Sequence, residues 1–223
     1  MMEARTYKGE DLSYLVVEPD GFEPDQEYPA IFLLHGYGSN MRDLAGLSPS
    51  IGRERHIYIC PNAPIKMELA PGVSSYAWME LGAGGAGTAV TILSTLLDKV
   101  SEQYRLMPGK SVLGGFSQGG MLAFEFGLPR ADIFAGLVSL SGRMIDPAGI
   151  RSSLPEGRDQ SVFIAHGTRD GMISVDQGRE SRDFLIGEGY DPEYHEYDMA
   201  HEVTQDVLDD LVPWIGRVTE TDR

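Results

Sequence analysis

The stretch Ser111-Val112-Leu113-Gly114-Gly115-Phe116-Ser117-Gln118-Gly119-Gly120-Met121-Leu122-Ala123-Phe124-Glu125-Phe126 decides how this chain reads. Its opening apolar run, with the β-branched Val112, predicts a strand over Ser111–Phe116, and the segment after it predicts a helix over Gly119–Phe126. Between them, Gly115-Phe116-Ser117-Gln118-Gly119 is a G-x-S-x-G pentad in strand–turn–helix context. A serine hydroxyl is a poor nucleophile unless it is lifted out of the sheet, given a base and set beside donors for a developing oxyanion. The sharp turn does the lifting, and glycines flank it because a Cβ there would clash. Ser117 is therefore the candidate nucleophile.

Outward from this turn the chain alternates strands and helices. A β-hairpin is predicted over Arg5–Glu18, with Gly9-Glu10-Asp11 as its turn. Apolar runs at Ala30–Leu34 and His56–Cys60 read as strands buried on both faces, and Phe134–Leu140, Ser161–Ala165 and Glu193–Tyr197 as further strands. Val90, Leu93, Leu97 and Val100 set a helical period over Thr88–Tyr104, closed off by Pro108-Gly109; Asp176–Ile186 and Val203–Val218 also read as helices. This alternation predicts an α/β fold over residues 1–223 as a single domain, with a mostly parallel central sheet, helices on both faces and no large lid domain.

In such sheets the chemistry sits at the carboxyl ends of strands. After the Ser161–Ala165 strand come His166-Gly167-Thr168-Arg169-Asp170, and after Glu193–Tyr197 come Asp198-Met199-Ala200-His201-Glu202. Ser117, Asp170 and His201 thus follow one another in the chain order of a hydrolase triad, with His201 as general base and Asp170 fixing the imidazole. Asp176 reads instead as a helix-start carboxylate complementing the dipole, and Asp198 lies too near His201 in sequence to orient it. An oxyanion hole needs two backbone N–H groups: Gln118 follows the nucleophile, and Tyr37 lies in the Gly-rich loop His35-Gly36-Tyr37-Gly38-Ser39-Asn40. His35 reads as a structural histidine bonding loop backbone.

Composition narrows the classes. Thirty-four acidic against 18 basic residues give a net charge of −16, beyond the roughly 2–8 usual for a small domain. That disfavours nucleic-acid backbones and anionic membranes as partners. No run is long enough to span a bilayer and Met1–Lys8 lacks a signal peptide's apolar core, so a cytoplasmic location without membrane insertion is expected. The one cysteine, Cys60, ends an apolar run and reads as a buried, inert thiol. The five histidines are dispersed, without metal-ligand spacing, so no metal is expected. Gly82–Gly87 formally satisfies G-x-G-x-x-G, but the next sheet strand delivers Ser117 rather than an acidic residue; these glycines read as a mobile loop beside the cleft, and no cofactor is expected.

Leu33–Asn40 (L-L-H-G-Y-G-S-N), Ala77–Glu80 (A-W-M-E), G-G-F-S-Q-G-G, H-G-T-R-D and Met199–Val203 (M-A-H-E-V) together resemble the carboxylesterase / acyl-protein thioesterase / lysophospholipase family of small α/β-hydrolases, over about Tyr28 to Trp214. The resemblance implies the α/β-hydrolase fold, the triad Ser117, Asp170 and His201, and oxyanion donors at Tyr37 and Gln118. It also implies that Trp78 lies near an acyl-binding cleft, although Trp78 reads equally as a core aromatic. Met67 and Met79 suit an adaptable apolar wall, with Met79 beside Trp78 as a substrate contact. Departures fall at Ser39-Asn40, where relatives often carry an aspartate, at Gly171 in place of a frequent proline, and at Ala200 in place of a frequent glycine. The expected function is a serine hydrolase of small-molecule carboxylic esters with short to medium acyl chains. Acyl-protein thioesterase or lysophospholipase activity is the alternative. A hydrolase-fold binding protein without catalysis is the non-enzyme reading, opposed by the complete set of three residues. A homodimer is compatible with the sequence, which does not encode the oligomeric state.

Overall fold

Side-chain alternation within single strands sets the architecture. Ala30, Phe32 and Leu34 join one apolar cluster while Ile31 and Leu33 join another, and Ile57 and Ile59 are divided in the same way from Tyr58 and Cys60. A strand buried on both faces needs helices on both. The computed structural model describes residues 2–9, 12–70, 72–82 and 85–220. Its strands are β1 (Glu3–Lys8), β2 (Ser13–Glu18), β3 (Ala30–Leu34), β4 (Ile57–Pro61), β5 (Ile65–Ala70), β6 (Val73–Ala77), β7 (Ser111–Phe116), β8 (Phe134–Leu140), β9 (Ser161–Gly167) and β10 (Glu193–Tyr197). Its helices are α1 (Arg42–Ala45), α2 (Ser48–Ile51), α3 (Gly87–Gln103), α4 (Gln118–Gly127), α5 (Pro147–Ser153), α6 (Val175–Gly187) and α7 (Gln205–Val218).

The main sheet has eight strands in the order β1-β2-β4-β3-β7-β8-β9-β10. β1 and β2 pair antiparallel, β2 pairs antiparallel with β4, and every pairing from β4 to β10 is parallel. This is the α/β-hydrolase arrangement, without a large lid. Buried residues of α3, α4, α5 and α6 (Leu93, Phe124, Ile150, Leu185) belong to the first cluster, and those of α1, α2 and α7 (Leu44, Ile51, Leu211, Trp214) to the second. Cys60 is fully buried, which pushes its thiol far above the usual range.

Three features differ from the sequence reading. The segment after β4, in which Met67 and Met79 suit an adaptable apolar wall and no strand is expected, contains the antiparallel hairpin β5–β6, with Gly72 at φ 76° beyond the end of β5; the Pro71-Gly72 dipeptide between two short strand-forming runs is its sequence signal. The short helices α1, α2 and α5 escape detection because a helix of one or two turns shows no period. Finally, α3 matches the expected helix to one residue at each end, but it is Tyr104, already extended at φ −128°, ψ 139°, and not Pro108-Gly109 that ends it. Glu10 and Asp11 of the first hairpin's turn lie outside the described residues, as do Ala83 and Gly84 of the glycine cluster. That cluster follows the small hairpin rather than a strand of the main sheet, so it lacks the setting of a dinucleotide fingerprint.

Candidate active site

Ser117 joins β7 to α4 with φ 54° and ψ −116°; among the described residues only Ser141 is another non-glycine with positive φ. Such a conformation costs on the order of 1–3 kcal/mol and persists only where neighbours over-determine it. Here the glycines do so. A Cβ on Gly115 would lie 2.7 Å from the Leu34 carbonyl oxygen, and one on Gly119 would overlap that same carbonyl. The turn is therefore pressed against the end of β3. The Ser117 N–H donates to the Leu140 carbonyl at 2.9 Å, and Ser117 is 8% exposed.

The loop after β3 lies directly on this turn. A Cβ on Gly36 would stand 3.1 Å from the Phe116 ring and 3.3 Å from Ser117 Cβ. Neither the Tyr37 nor the Gln118 backbone N–H has an acceptor among the described residues. The loop is held from three sides. Gly38 N–H donates to Tyr76 O at 2.9 Å and Tyr76 N–H to Ser39 O at 2.8 Å, so β6 pins it from outside. His35 is 1% exposed; its Nε2 accepts the Ala63 N–H at 3.0 Å, which leaves Nδ1 to donate to Gly36 O at 2.7 Å. Burial pushes its pKa down, in keeping with a structural histidine. From beneath, Trp78 Nε1–H donates to His35 O at 2.9 Å.

The Gln118 side chain has a role that the sequence reading did not assign. Its Oε1 accepts the backbone N–H groups of Trp78 (2.9 Å) and Met79 (3.4 Å), while its Nε2 donates to Met79 O at 2.9 Å. Trp78 is 1% exposed and Met79 8% exposed. Both belong to the first apolar cluster, the packing expected of a core aromatic and its neighbour, and both bear on the site through His35 and Gln118.

On the other side, the loops after β9 and β10 are tied together. Thr168 N–H donates to Tyr197 O (2.8 Å) and Arg169 N–H to Met199 O (3.1 Å), and a Cβ on Gly167 would overlap the Met199 and Ala200 carbonyls. This close approach carries Asp170 to His201, whose Nδ1 lies 2.7 Å from Asp170 Oδ2. The carboxylate's other oxygen accepts the backbone N–H groups of Met172 and Ile173, each at 2.9 Å. Burial pushes the Asp170 carboxyl up, but the His201 bond and the two backbone donors outweigh it and hold the group below the usual carboxylate range. The His201 ring packs on Phe116, centroids 4.7 Å apart, which brings it beside the residue preceding Ser117. No direct hydrogen bond joins Ser117 Oγ to His201 among the described residues; such contacts commonly tighten only when substrate is bound. Of the rival acids, Asp176 is in the first turn of α6 and pairs with Arg179 at 2.8 Å, and Asp198 pairs with Arg169 at 2.6 Å.

Comparisons with known proteins place the chain in a family and a fold. A family model described as phospholipase/carboxylesterase matches residues 16–218. An acyl-protein thioesterase 1 of Mycosarcoma maydis is 27% identical over 238 residues, covering 93% of this chain and 97% of that protein. Feruloyl esterase D of Neurospora crassa is 28% identical over 190 residues, 82% of this chain but 62% of the longer relative. Among solved structures, esterase PE8 superposes with a TM-score of 0.81 at 26% identity, covering 93% of this chain and 99% of the other. A Bacillus cereus carboxylesterase shares the fold, with a TM-score of 0.73 at 19% identity over 94% of this chain and 95% of the other.

Proposed function

Because this chain belongs to the phospholipase/carboxylesterase family of ester- and thioester-cleaving hydrolases, we propose that it hydrolyses small carboxylic esters of short to medium acyl chain through Ser117, His201 and Asp170. The observation that carries the reading is the 2.7 Å bond between His201 Nδ1 and Asp170 Oδ2 on loops tied beside the strained Ser117 turn. With Nδ1 engaged, Nε2 is the nitrogen left to take the Ser117 proton as Oγ attacks the ester carbonyl carbon. The carbonyl π-electrons move onto oxygen, and the Tyr37 and Gln118 N–H groups receive that oxyanion. Collapse breaks the bond to the leaving group, which departs with the proton from Nε2. Water then attacks the acyl-enzyme and gives its proton to Nε2. The second collapse expels Ser117 Oγ, which recovers that proton, and the carboxylic acid leaves. No cofactor or metal enters these steps.

The preference for short to medium acyl chains is supported by the absence of a large lid among the described residues, and exposed apolar side chains on the segments that build the site are available to an acyl chain. Tyr37, Leu81 and Met172 are exposed large apolar side chains, at 36%, 75% and 76%. They lie in the loop after β3, in the segment after the Gln118-gripped Trp78–Met79, and two residues beyond Asp170. Hydrolysis of p-nitrophenyl esters from acetate to palmitate, for wild type and Ser117→Ala, tests the proposal. Activity peaking at short or medium chains and abolished by the substitution is expected. Undiminished activity in Ser117→Ala would remove Ser117 from the mechanism. Absence of labelling by a fluorophosphonate probe would favour a binding protein. A thioester preference is the second reading, supported by the thioesterase-named relative along nearly its full length; matched ester and thioester substrates of one acyl chain separate the two.

A further inference from the structure

His166 is fully buried at the end of β9, four residues before Asp170, and has no part in the chemistry above. Its Nε2 lies 2.8 Å from the Ile173 carbonyl oxygen and 3.5 Å from Asp170 Oδ2, the carboxylate oxygen that also meets His201. Both neighbours are acceptors, so Nε2 carries the proton and Nδ1 the lone pair. Nδ1 has no hydrogen-bond partner among the described residues, and α6 closes over it: a Cβ on Gly178 would stand 2.6 Å away. The bonds form a chain. His166 holds Ile173 by its carbonyl, while the Ile173 N–H, with that of Met172, occupies Asp170 Oδ1. Oδ1 is thereby saturated and Oδ2 is turned toward His201.

We propose that His166 is a positioning residue for the reaction: its Nε2–H, bonded to the Ile173 carbonyl, holds the Ile173 N–H on Asp170 Oδ1 and so sets the carboxylate plane that aims Oδ2 at His201. This rests on the Ser117–His201–Asp170 reading, and the two fail separately: a fully active Ser117→Ala overturns that reading, whereas an inactive Ser117→Ala beside a fully active His166→Leu overturns this one alone.

The test is p-nitrophenyl butyrate kinetics with His166→Leu, which removes the donor, and His166→Gln, which returns an N–H near Nε2. Loss of the bond that holds Ile173, and with it a backbone donor on the Asp170 carboxylate, predicts a kcat lower by about tenfold in His166→Leu, with KM within about twofold because no substrate contact is lost. His166→Gln should recover most of kcat. Equal losses in both variants would reduce His166 to packing and overturn the proposal. Two measurements decide the matter if His166→Leu does not fold. Long-range 1H–15N spectra of the wild-type ring should place its proton on Nε2; a proton on Nδ1 overturns the proposal. Gly178→Ala, a favourable change for a helix, should nevertheless lower kcat by pressing on the ring, and an unaltered kcat there counts against it.

Discussion

Ser117 holds a backbone conformation that an ordinary turn would relax, and the two flanking glycines are what prevent relaxation. Gly119 is the sharper case, because its missing Cβ is the space that the Leu34 carbonyl occupies. Gly119→Ala should therefore cost about 1–3 kcal/mol of stability as overpacking and, by displacing the turn, abolish fluorophosphonate labelling; denaturant titration and probe labelling check the two parts. His56 supports a separate prediction. Thr219 Oγ1 already donates to Ile215 O, so it accepts from His56 Nε2–H, and the buried Nδ1 is left without a partner. Burial, with the Arg55 charge adding to it, lowers the His56 pKa from 6.5 to about 4. The unfolded chain then binds the extra proton first as pH falls. The contribution is complete above about pH 6.5 and declines until about pH 4, a loss of about 3 kcal/mol at about 1.4 kcal/mol per unit. Denaturation midpoints at neutral pH and near pH 4 should show a larger drop for wild type than for His56→Gln. At this scale the glycines and the serine were legible in the sequence because G-x-S-x-G is a local pattern. The orphaned ring nitrogens were not, since they depend on what packs against them.

Among the elements, the start of α4 and the end of the β5–β6 hairpin act as one unit. Gln118 belongs to the helix, yet its amide grips the backbone of Trp78 and Met79, and Trp78 in turn holds the loop after β3 through His35. Gln118→Ala keeps the backbone N–H but leaves buried peptide groups unpaired. It should lower stability by about 1–3 kcal/mol and reduce kcat/KM while fluorophosphonate still labels Ser117, as urea titration and labelling kinetics would register. A wild-type denaturation midpoint for this variant would show that the clamp is dispensable. The long parallel strands and the main helices were readable from periodicity and matched to within a few residues. The β5–β6 hairpin went unread because its first strand, Ile65–Ala70, has one β-branched residue among charged and unbranched ones, and it is the element that pins the loop carrying Tyr37.

For the whole molecule, the net charge of −16 is a cost of self-repulsion carried by the folded state. Sodium chloride raised from low salt to about 0.5 M should screen it and raise the melting temperature, with a gain of roughly 1 kcal/mol amounting to about 2–4 °C at this size. A melting temperature that falls across the same range would mean that attractive pairs such as Arg179 with Asp176 and Glu196 outweigh the repulsion. The sequence by itself determined the alternation of strands and helices, the sharp G-x-S-x-G turn, and the chain order of Ser117, Asp170 and His201. Each of these is written in local periodicity, in glycine placement or in position after a strand. Only the tertiary structure decided that His201 reaches Asp170 across 31 residues of chain, that Gln118 grips Trp78 across 40, and that His166 stands on the same carboxylate oxygen as His201. Which side chains meet depends on the order in which the sheet sets its strands and on where backbones pass too close for a Cβ, and neither is encoded within any one segment.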